Sequence, residues 1–262
     1  MYDLAALDAG LAHTVFAGKI HYSPVTDSTN SDALSAARGG APHGSVWLAG
    51  EQRAGRGREG RSWRSAASQG LYVSALLRLP IPASRLLLLP LAAGLAAAGA
   101  IRTVTGLAVD LRWPNDLLVR QSKAGGILVE AQSGSKTLPH AAVVGIGINV
   151  HQRSFEPGLA TLATSLDLAL GHRVSRQALL IALLESLERE ANSLLEGASA
   201  QEIPSRVEAA STWVRGRRVV VHGPQACTGV TAGLDEHGFL RVETASGMVT
   251  VQTGGIREMN RD

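Results

Sequence analysis

Cysteine is almost absent from this sequence, since Cys227 is the only one among 262 residues. A single thiol excludes an intramolecular disulfide framework and a metal site built from several cysteines. A lone cysteine is usually a small apolar side chain in the interior, and we interpret Cys227 in that way rather than as a nucleophile. So little cysteine is typical of a reducing compartment, which predicts a cytoplasmic protein.

Metal-binding and nucleophile motifs are also missing. The eight histidines form no HxH or HExxH spacing, and no GxSxG nucleophile elbow occurs. Zinc chemistry and covalent serine catalysis each need such a spacing. The sequence therefore favours neither.

No segment has the pattern of a membrane span or a secretory signal. The first residues, MYDLAALDAGLAH, carry acids and lack a basic stretch followed by an apolar one. The longest apolar run, Leu86–Ile101, has 16 residues and contains Pro90, Gly94 and Gly99. This is short and weak for a span, and we predict a helix packed in the core and no membrane partner.

Lysine is scarce, and the positive charge is unevenly distributed. The formal net charge is +3, yet Arg53–Arg64 alone carries five arginines against Glu59, which leaves −1 for the rest of the chain. Proteins that bind nucleic acid spread their basic residues over a face or along a helix. A short basic loop suits a small anionic ligand better, and we therefore expect no binding to DNA.

The hydrophobic pattern predicts an α+β protein with two domains, residues 1–210 and 211–262. Apolar periodicity and capping residues predict three helices, at 28–38, 86–104 and 175–196. Short apolar runs predict six strands in the same region, at 45–49, 71–79, 109–113, 117–120, 126–132 and 142–150. From Trp213 onward, four short strands separated by glycine-containing turns predict a small antiparallel barrel.

The most informative segment is Glu51–Trp63, EQRAGRGREGRSW. Gly55, Gly57 and Gly60 satisfy the GxGxxG spacing of dinucleotide-binding loops, but a strand follows where that loop requires a helix. Glycines let the backbone approach a ligand closely, and arginines fork onto phosphate or carboxylate oxygens. We expect an anion-binding loop that orders when its ligand binds, and the alternative is a solvated loop with no role.

A second segment, Leu111–Glu130, joins a WPND turn to a lysine. Asn115 can hydrogen-bond a base, a sugar or a phosphate, and Asp116 can share a metal ion or only cap the turn. Lys123 is one of three lysines against 22 arginines, and it precedes two glycines. A compact ammonium can follow an anionic oxygen through a reaction, although an ordinary surface lysine is the alternative.

Two further segments are weak when each is taken alone. DSTN at 27–30 has the composition of a helix start, which is most often only a cap. VVGIGINV at 143–150 is a strand with two glycines, which indicates either close approach of a ligand or a plain core strand.

Taken in order, these segments resemble the biotin–protein ligase family: DSTN, then EQ-x-AGRGR-x-GR-x-W, then WPND with K-x-x-GILVE, then GIGIN. The resemblance implies a catalytic domain like that of class II aminoacyl-tRNA synthetases, a mixed sheet flanked by helices, followed by a small SH3-like β-barrel. It implies that ATP and Mg²⁺ activate biotin to biotinyl-5'-AMP. The biotin then passes to a lysine of a biotin carboxyl carrier protein domain of acetyl-CoA carboxylase or a related carboxylase.

The resemblance also implies roles for individual residues, while it identifies no metal ligands. The expected catalytic residues are Lys123 and Arg58. The expected biotin-binding residues are Ser28, Thr29, Asn30, Gln52, Arg56, Gly57, Arg58, Lys123 and Gly126. The expected ATP- and adenylate-binding residues are Arg56, Arg58, Arg61, Trp63, Asn115, Lys123 and Asn149.

The sequence departs from the family pattern at two positions. Arg112 stands before WPND where the family usually has lysine, and Glu59 stands where basic residues are common.

Only 26 residues precede Asp27, too few for the DNA-binding domain of some members, so we expect an enzyme that is not a repressor. Members often pair through the catalytic sheet, so a homodimer is an open alternative. The rival functions are a lipoate or octanoate ligase and a non-catalytic RNA- or protein-binding module.

Overall fold

The structure, a computed structural model, describes residues 2–132, 140–156 and 161–259. Within these ranges the chain forms a seven-stranded mixed sheet, a five-stranded antiparallel sheet and a set of helices. The prediction of an α+β fold with a mixed sheet first and a small β unit last is confirmed. The domain boundary after residue 210 stays a prediction.

Helices and strands are interspersed along the first 149 residues, and four helices followed by five strands come after them. The helices are α1 Leu4–Gly10, α2 Thr29–Arg38, α3 Ala83–Leu86, α4 Leu89–Thr105, α5 Leu166–Leu170, α6 Arg176–Leu195, α7 Gly197–Gln201 and α8 Ile203–Ala209. The strands are β1 Ile20–Thr26, β2 Val46–Gln52, β3 Gly70–Leu79, β4 Asp110–Arg112, β5 Asp116–Val119, β6 Ser122–Gln132, β7 His140–Asn149, β8 Arg215–His222, β9 Cys227–Leu234, β10 Leu240–Thr244, β11 Gly247–Val251 and β12 Gly255–Glu258.

The large sheet has the strand order β1-β2-β3-β7-β6-β5-β4. Strands β1 and β2 pair in parallel, whereas the other neighbours pair antiparallel. A parallel pair needs a crossover, and helix α2 provides it, so the DSTN segment lies where β1 ends. The pattern gave no strand at β1, because it contains Pro24; that residue is tolerated because β1 is an edge strand.

Helices α4 and α6 pack together against the large sheet and contribute much of the core. Alanines on α4, such as Ala92 and Ala97, are fully buried and allow close approach of the two helices. By length and composition the stretch Ala83–Thr105 would suit a membrane, but much of it is buried inside the protein. Its longer part, helix α4, packs in the core, as predicted.

Helix α6 begins and ends within one residue of the predicted range, 175–196. The Ser175 hydroxyl accepts a hydrogen bond from the Ala178 amide at 3.2 Å, which satisfies one of the free donors of the first turn. The helix ends at Leu195, and Gly197 begins the short helix α7.

The small sheet has the order β11-β10-β9-β8-β12, one strand more than predicted. Strand β12 has four residues and follows Gly254, so its own pattern is too short to identify. It forms by pairing antiparallel with β8, from Gly255 opposite His222 to Glu258 opposite Val219.

The chain just before the small sheet is fixed to strand β4 by consecutive contacts. The Ser211 hydroxyl donates to the Leu111 carbonyl at 2.5 Å, and the Asp110 carboxylate accepts from the Thr212 amide at 2.8 Å. The Trp113 indole then donates to the Gly238 carbonyl of the small sheet at 3.0 Å. These bonds hold the second sheet against the residues that lead into the WPND turn.

We predict that Leu183→Ala lowers the free energy of unfolding by about 2–5 kcal/mol, because a fully buried side chain on α6 leaves a cavity. Urea denaturation followed by circular dichroism measures this. The same substitution at Leu168, which is 49% exposed on α5, serves as the control and should change stability by less than about 0.5 kcal/mol. Equal effects at the two positions would contradict the described core.

Candidate active site

A cavity of about 240 Å³ lies where the large and small sheets meet. Its walls come from the start of α2, the WPND turn, strands β6 and β7, and the chain around β12. The loop of residues 53–64, which we call the glycine–arginine loop, also lines it. Part of the lining is polar and charged, and part is apolar, with Val73, Ile127, Leu128 and Ile146. A concave space with convergent polar groups is the usual form of a small-molecule site.

The polar end of the cavity is built around the first turn of α2. The Gln52 side-chain oxygen accepts from the Thr29 amide at 2.9 Å and from the Thr29 hydroxyl at 3.0 Å. Gln52 in turn donates from Nε2 to the Ser65 hydroxyl at 2.7 Å. Ser28 occupies the N-cap position without a capping hydrogen bond from its side chain, and Gln52 satisfies the Thr29 amide, one of the free donors of the first turn.

Asn30 is locked in one orientation on the surface of the sheet. Its Nδ2 donates to Glu130 Oε2 at 2.9 Å and to the Leu128 carbonyl at 3.2 Å, and its Oδ1 accepts from the Ser74 hydroxyl at 2.6 Å. A Cβ atom on Gly145 would lie 2.0 Å from Asn30 Oδ1, so this strand position has to be glycine. The amide is pre-organised without any ligand.

Glu130 also holds the first arginine of the glycine–arginine loop. Arg56 Nη2 lies 2.7 Å from Glu130 Oε2, the same oxygen that accepts from Asn30. Both partners are partly exposed, so the pair contributes modestly to stability. It does connect the loop to the polar end of the cavity.

Three charged side chains meet on the WPND side. Asp116 Oδ1 lies 2.5 Å from Lys123 Nζ, and Asp116 Oδ2 accepts from Arg112 Nη2 at 2.5 Å and Nε at 3.1 Å. Burial by itself raises the pKa of Asp116, but Lys123 and Arg112 outweigh it and hold that pKa below its usual value. The carboxylate is therefore ionised whenever the protein is near neutral pH.

Trp63 lies over a pair of facing glycines at the middle of the cavity. Gly126 and Gly147 are opposite each other in the register of β6 and β7, and a Cβ on Gly147 would lie 2.6 Å from Trp63 Nε1. The Lys123 ammonium lies 5.5 Å from the centre of the Trp63 ring. Among the residues that the structure describes, the buried Nε1 has no hydrogen-bond partner.

The glycine–arginine loop reaches from the large sheet to the small one. Arg58 donates to the Gly254 carbonyl and to the Thr253 hydroxyl, each at 3.3 Å, and burial lowers the pKa of its guanidinium. Arg61 pairs with Glu59 at 2.9 Å, and the Glu59 backbone has a φ of 57°, in the left-handed region. Arg56, Arg58 and Arg61 each have a hydrogen-bond acceptor nearby, and these acceptors limit repulsion between the guanidinium groups of the loop.

Comparison with known proteins supports a common ancestry. The model of the biotin/lipoate A/B protein ligase family matches residues 22–149. The bifunctional ligase/repressor BirA of Bacillus subtilis is 31% identical over 250 residues, which cover 94% of this chain and 76% of that protein. The biotin–[acetyl-CoA-carboxylase] ligase of Mycobacterium tuberculosis is 32% identical over 88% of this chain and 85% of that enzyme.

The chain belongs to the biotin/lipoate A/B protein ligase family. Among solved structures, the Aquifex aeolicus biotin protein ligase in complex with biotin and ATP has a TM-score of 0.78. It is 30% identical in sequence, and the match covers 92% of this chain and all of that one. The family and the fold implied by the sequence motifs are therefore confirmed.

In this family member most of the predicted site residues meet at one cavity. Those in its wall are Ser28, Thr29, Asn30, Gln52, Arg56, Gly57, Arg58, Arg61, Trp63, Asn115, Lys123 and Gly126. Asn149 lies outside that wall; it donates to the Thr164 carbonyl at 3.1 Å and accepts from Gln152 at 3.2 Å. Its assignment to the nucleotide stays a prediction, as do the individual roles of the others.

Several residues of the site received no role from the sequence. Ser74 and Glu130, which orient Asn30, were given none. For Asp116 the sequence left two alternatives open, a metal ligand or a cap of the turn, and the structure pairs it with Lys123. A serine inside the apolar strand LYVSALLRL was a usable signal, as was the acid that closes GILVE. His222 and residues 254–257, which line the cavity from the small sheet, left no such signal because their position depends on how the two sheets pack.

Metal binding has no dedicated cluster among the described residues. In the ranges 2–132, 140–156 and 161–259, no group of three or more His, Cys, Asp or Glu side chains is placed to hold an ion. Carboxylates that line the cavity include Glu59 and Asp116, and both accept from neighbouring arginines.

We predict that Gly145→Ala weakens biotin binding by about tenfold or more, because the new methyl group displaces Asn30 and overpacking costs about 1–3 kcal/mol. Isothermal titration with biotin measures the affinity. Gly99→Ala on α4 is the matched control, since its nearest heavy atom would be 3.8 Å away. That variant should bind normally and gain up to about 1 kcal/mol of stability. Unchanged affinity in Gly145→Ala would show that Asn30 does not matter for the ligand.

We also predict that Asp116→Asn destabilises the fold by about 2–3 kcal/mol at neutral pH, because Lys123 and Arg112 lose their shared counter-charge. The folded pKa of Asp116 lies below the reference value of 3.8. Its contribution is thus fully present above about pH 4 and is lost as pH falls through the folded pKa. Unfolding free energies of both proteins against pH measure this, with the exposed Asp8→Asn as control. A difference that grows below pH 4 has the wrong sign for this assignment.

Proposed function

We infer that this chain is an ATP-dependent biotin–protein ligase, which activates biotin as biotinyl-5'-AMP and transfers it to a lysine of a carboxylase carrier protein. The observation that carries this function is the relationship over nearly the whole chain to biotin protein ligases, including one solved with biotin and ATP. The convergence of the four motifs of this chain on a single cavity supports it.

The polar end of the cavity fits the ureido ring of biotin. That ring presents one carbonyl acceptor and two N–H donors, and the hydroxyl and amide groups of Ser28, Thr29, Asn30 and Gln52 offer both kinds of partner. The apolar wall suits the thioether ring and the valeryl chain. We assign these four residues to the ureido end.

The positive end of the cavity fits a nucleotide phosphate chain and a carboxylate. Arg56, Arg58 and Arg61 line it together with Lys123, and arginine forks bind phosphate oxygens in pairs. We assign Trp63 and Asn115 to the nucleotide side. Magnesium belongs to the substrate, as the MgATP complex, and is held largely by phosphate oxygens.

In the first reaction, a biotin carboxylate oxygen attacks the α-phosphorus of ATP, and the bond to the leaving pyrophosphate breaks. Negative charge accumulates around that phosphorus, and Lys123 is the compact cation that would bridge the carboxylate and the α-phosphate. Catalysis then depends on positioning and charge stabilisation more than on proton transfer. Arg58 would close the loop over the adenylate and keep water from the mixed anhydride.

In the second reaction, the neutral amine of the acceptor lysine attacks the carbonyl carbon of the adenylate. AMP leaves with the electrons of the broken C–O bond, and the new amide nitrogen loses one proton.

The acceptor protein itself is a carboxylase carrier protein, and we propose a biotin carboxyl carrier domain as the acceptor. Because ATP and such carriers are found there, we propose the cytoplasm as the compartment. Two further points stay predictions: that the protein does not bind DNA, and that it pairs into a homodimer.

A lipoate or octanoate ligase would share the adenylation logic, but the polar network argues against it. Thr29, Asn30 and Gln52 are buried or half-buried around Ser74, which is fully buried. A dithiolane ring or a plain acyl chain offers this network no N–H donor and no carbonyl acceptor, whereas the ureido ring of biotin offers both, which discriminates against such substrates. Biotin is therefore the substrate we favour.

We predict that the purified protein catalyses ATP–pyrophosphate exchange with biotin and not with lipoate or octanoate. Incorporation of labelled pyrophosphate into ATP measures it. Absence of exchange with biotin would reject the proposed function, and exchange with lipoate alone would replace it by the rival. Lys123→Ala should reduce exchange by at least about 100-fold, because one transition-state cation is lost. Lys19→Ala is its control, since Lys19 donates to the Val15 and His43 carbonyls and does not line the cavity.

A further inference from the structure

Arg112, one of the two residues that depart from the family pattern, contacts two side chains through hydrogen bonds and a third through its guanidinium. It is nearly buried, and its Nη2 donates to the Thr161 hydroxyl at 3.0 Å in addition to its two bonds to Asp116 Oδ2. Asp116 presents its other oxygen to Lys123. Arg112 therefore determines where the carboxylate that holds Lys123 can lie.

The Arg112 guanidinium lies over an aromatic ring from outside the motifs. Arg112 Cζ lies 5.1 Å from the ring centroid of Trp213, at the entry to the small sheet. Trp213 is buried, and its amide donates to the Ser211 hydroxyl, which itself donates to the Leu111 carbonyl beside Arg112. The ring is thus fixed to the strand that carries Arg112.

This arrangement needs an arginine. A guanidinium can lie over an indole and at the same time donate from several N–H groups to a carboxylate and a hydroxyl, as Arg112 does. An ammonium group at the end of a lysine has no flat face to stack, so it cannot satisfy the ring, Asp116 and Thr161 in the same way.

We propose that Trp213 is a positioning residue for adenylation. It fixes Arg112, Arg112 fixes Asp116, and Asp116 presents Lys123 to the reacting carboxylate and phosphate. The small sheet thereby contributes to the first reaction through a residue that touches neither substrate. This proposal rests on the proposed function, since it concerns the same adenylation.

The contacts indicate which kinetic parameter depends on Trp213. When substrates bind, Lys123 has to be shared between Asp116 and the new anions, and a carboxylate free to follow the ammonium would keep it from the phosphate. Arg112 prevents this by holding Asp116 Oδ2 from the opposite side. The effect belongs to the transition state, so kcat depends on Trp213, whereas the KM for biotin does not.

The test is a double-mutant cycle on biotin-dependent ATP–pyrophosphate exchange by the full chain, with Trp213→Leu, Arg112→Lys and the double variant. Each single variant should lower kcat by roughly tenfold with the KM for biotin within about twofold, because the stacked contact is lost. The double variant should be no slower than the slower single one, because both substitutions break the same contact. Trp213→Tyr keeps an aromatic face and should restore kcat to within about threefold of the wild type.

Arg217 provides the matched control. Its Cζ lies 4.3 Å from the same Trp213 ring, but its Nη2 pairs with Glu258 at 3.0 Å rather than with Asp116. Arg217→Lys should change kcat by less than about twofold, because it loses a similar stack without touching the Asp116 contacts.

Three results would overturn the proposal: wild-type kcat in Trp213→Leu, multiplicative losses in the double variant, or a loss in Arg217→Lys equal to that in Trp213→Leu. If Trp213→Leu does not fold by circular dichroism, Trp213→Met, which also has no aromatic face, takes its place in the cycle and is read in the same way. Failure of the wild type to exchange with biotin rejects the proposed function and this proposal with it. Wild-type exchange combined with any of the three results rejects this proposal alone.

Discussion

The carboxylate of Asp116 lies between two cations, Lys123 in the cavity and Arg112 beside the small sheet. One oxygen faces the Lys123 ammonium and the other faces the Arg112 guanidinium, both at 2.5 Å. Burying a carboxylate without partners costs several kcal/mol, and here two cations compensate it from opposite sides. Because Arg112 lies over Trp213 at the entry to the small sheet, the position of Lys123, for which we propose a catalytic role, depends on how the two sheets pack. This explains why the residues just before the WPND turn are bonded so closely to the chain that enters the second sheet.

At the other end of the cavity a neutral side chain, Asn30, is likewise held in place by partners within the protein. Asn30 is held by Ser74, Glu130 and a backbone carbonyl before any ligand is present, and Gly145 leaves the space for it. Polar groups that are fixed in advance lose little conformational entropy when a ligand binds, and they reject ligands that leave them unpaired. Between the two ends, the glycine–arginine loop is anchored by Arg56 to the large sheet and by Arg58 to the small one. Between those two anchors the glycines leave the backbone of the loop free to bend.

Much of this was open to prediction because the signals are local. Periodicity predicted α4 and α6 and the central strands, and Ser175 caps its helix as expected. The motifs predicted most of the cavity wall, because an anion-binding loop, a turn and a lysine between glycines each have a recognisable composition. Strand β12 and strand β1 were missed, since one is four residues long and the other contains Pro24. Asn149 was expected at the nucleotide and lies outside the cavity wall, where its amide bonds to Thr164 and Gln152.

By itself, the sequence determined the family, the α+β class and the kind of ligand, because these depend on residue types at short spacings along the chain. It did not determine the pairing of Glu130 with Arg56, the place of Ser74 under Asn30, or the stacking of Arg112 on Trp213. Those partners are separated by 44 to 101 positions in the chain, and only the packing of the sheets brings them together. No local pattern encodes such distances, so the tertiary structure alone decided which charge faces Lys123 and what holds it there.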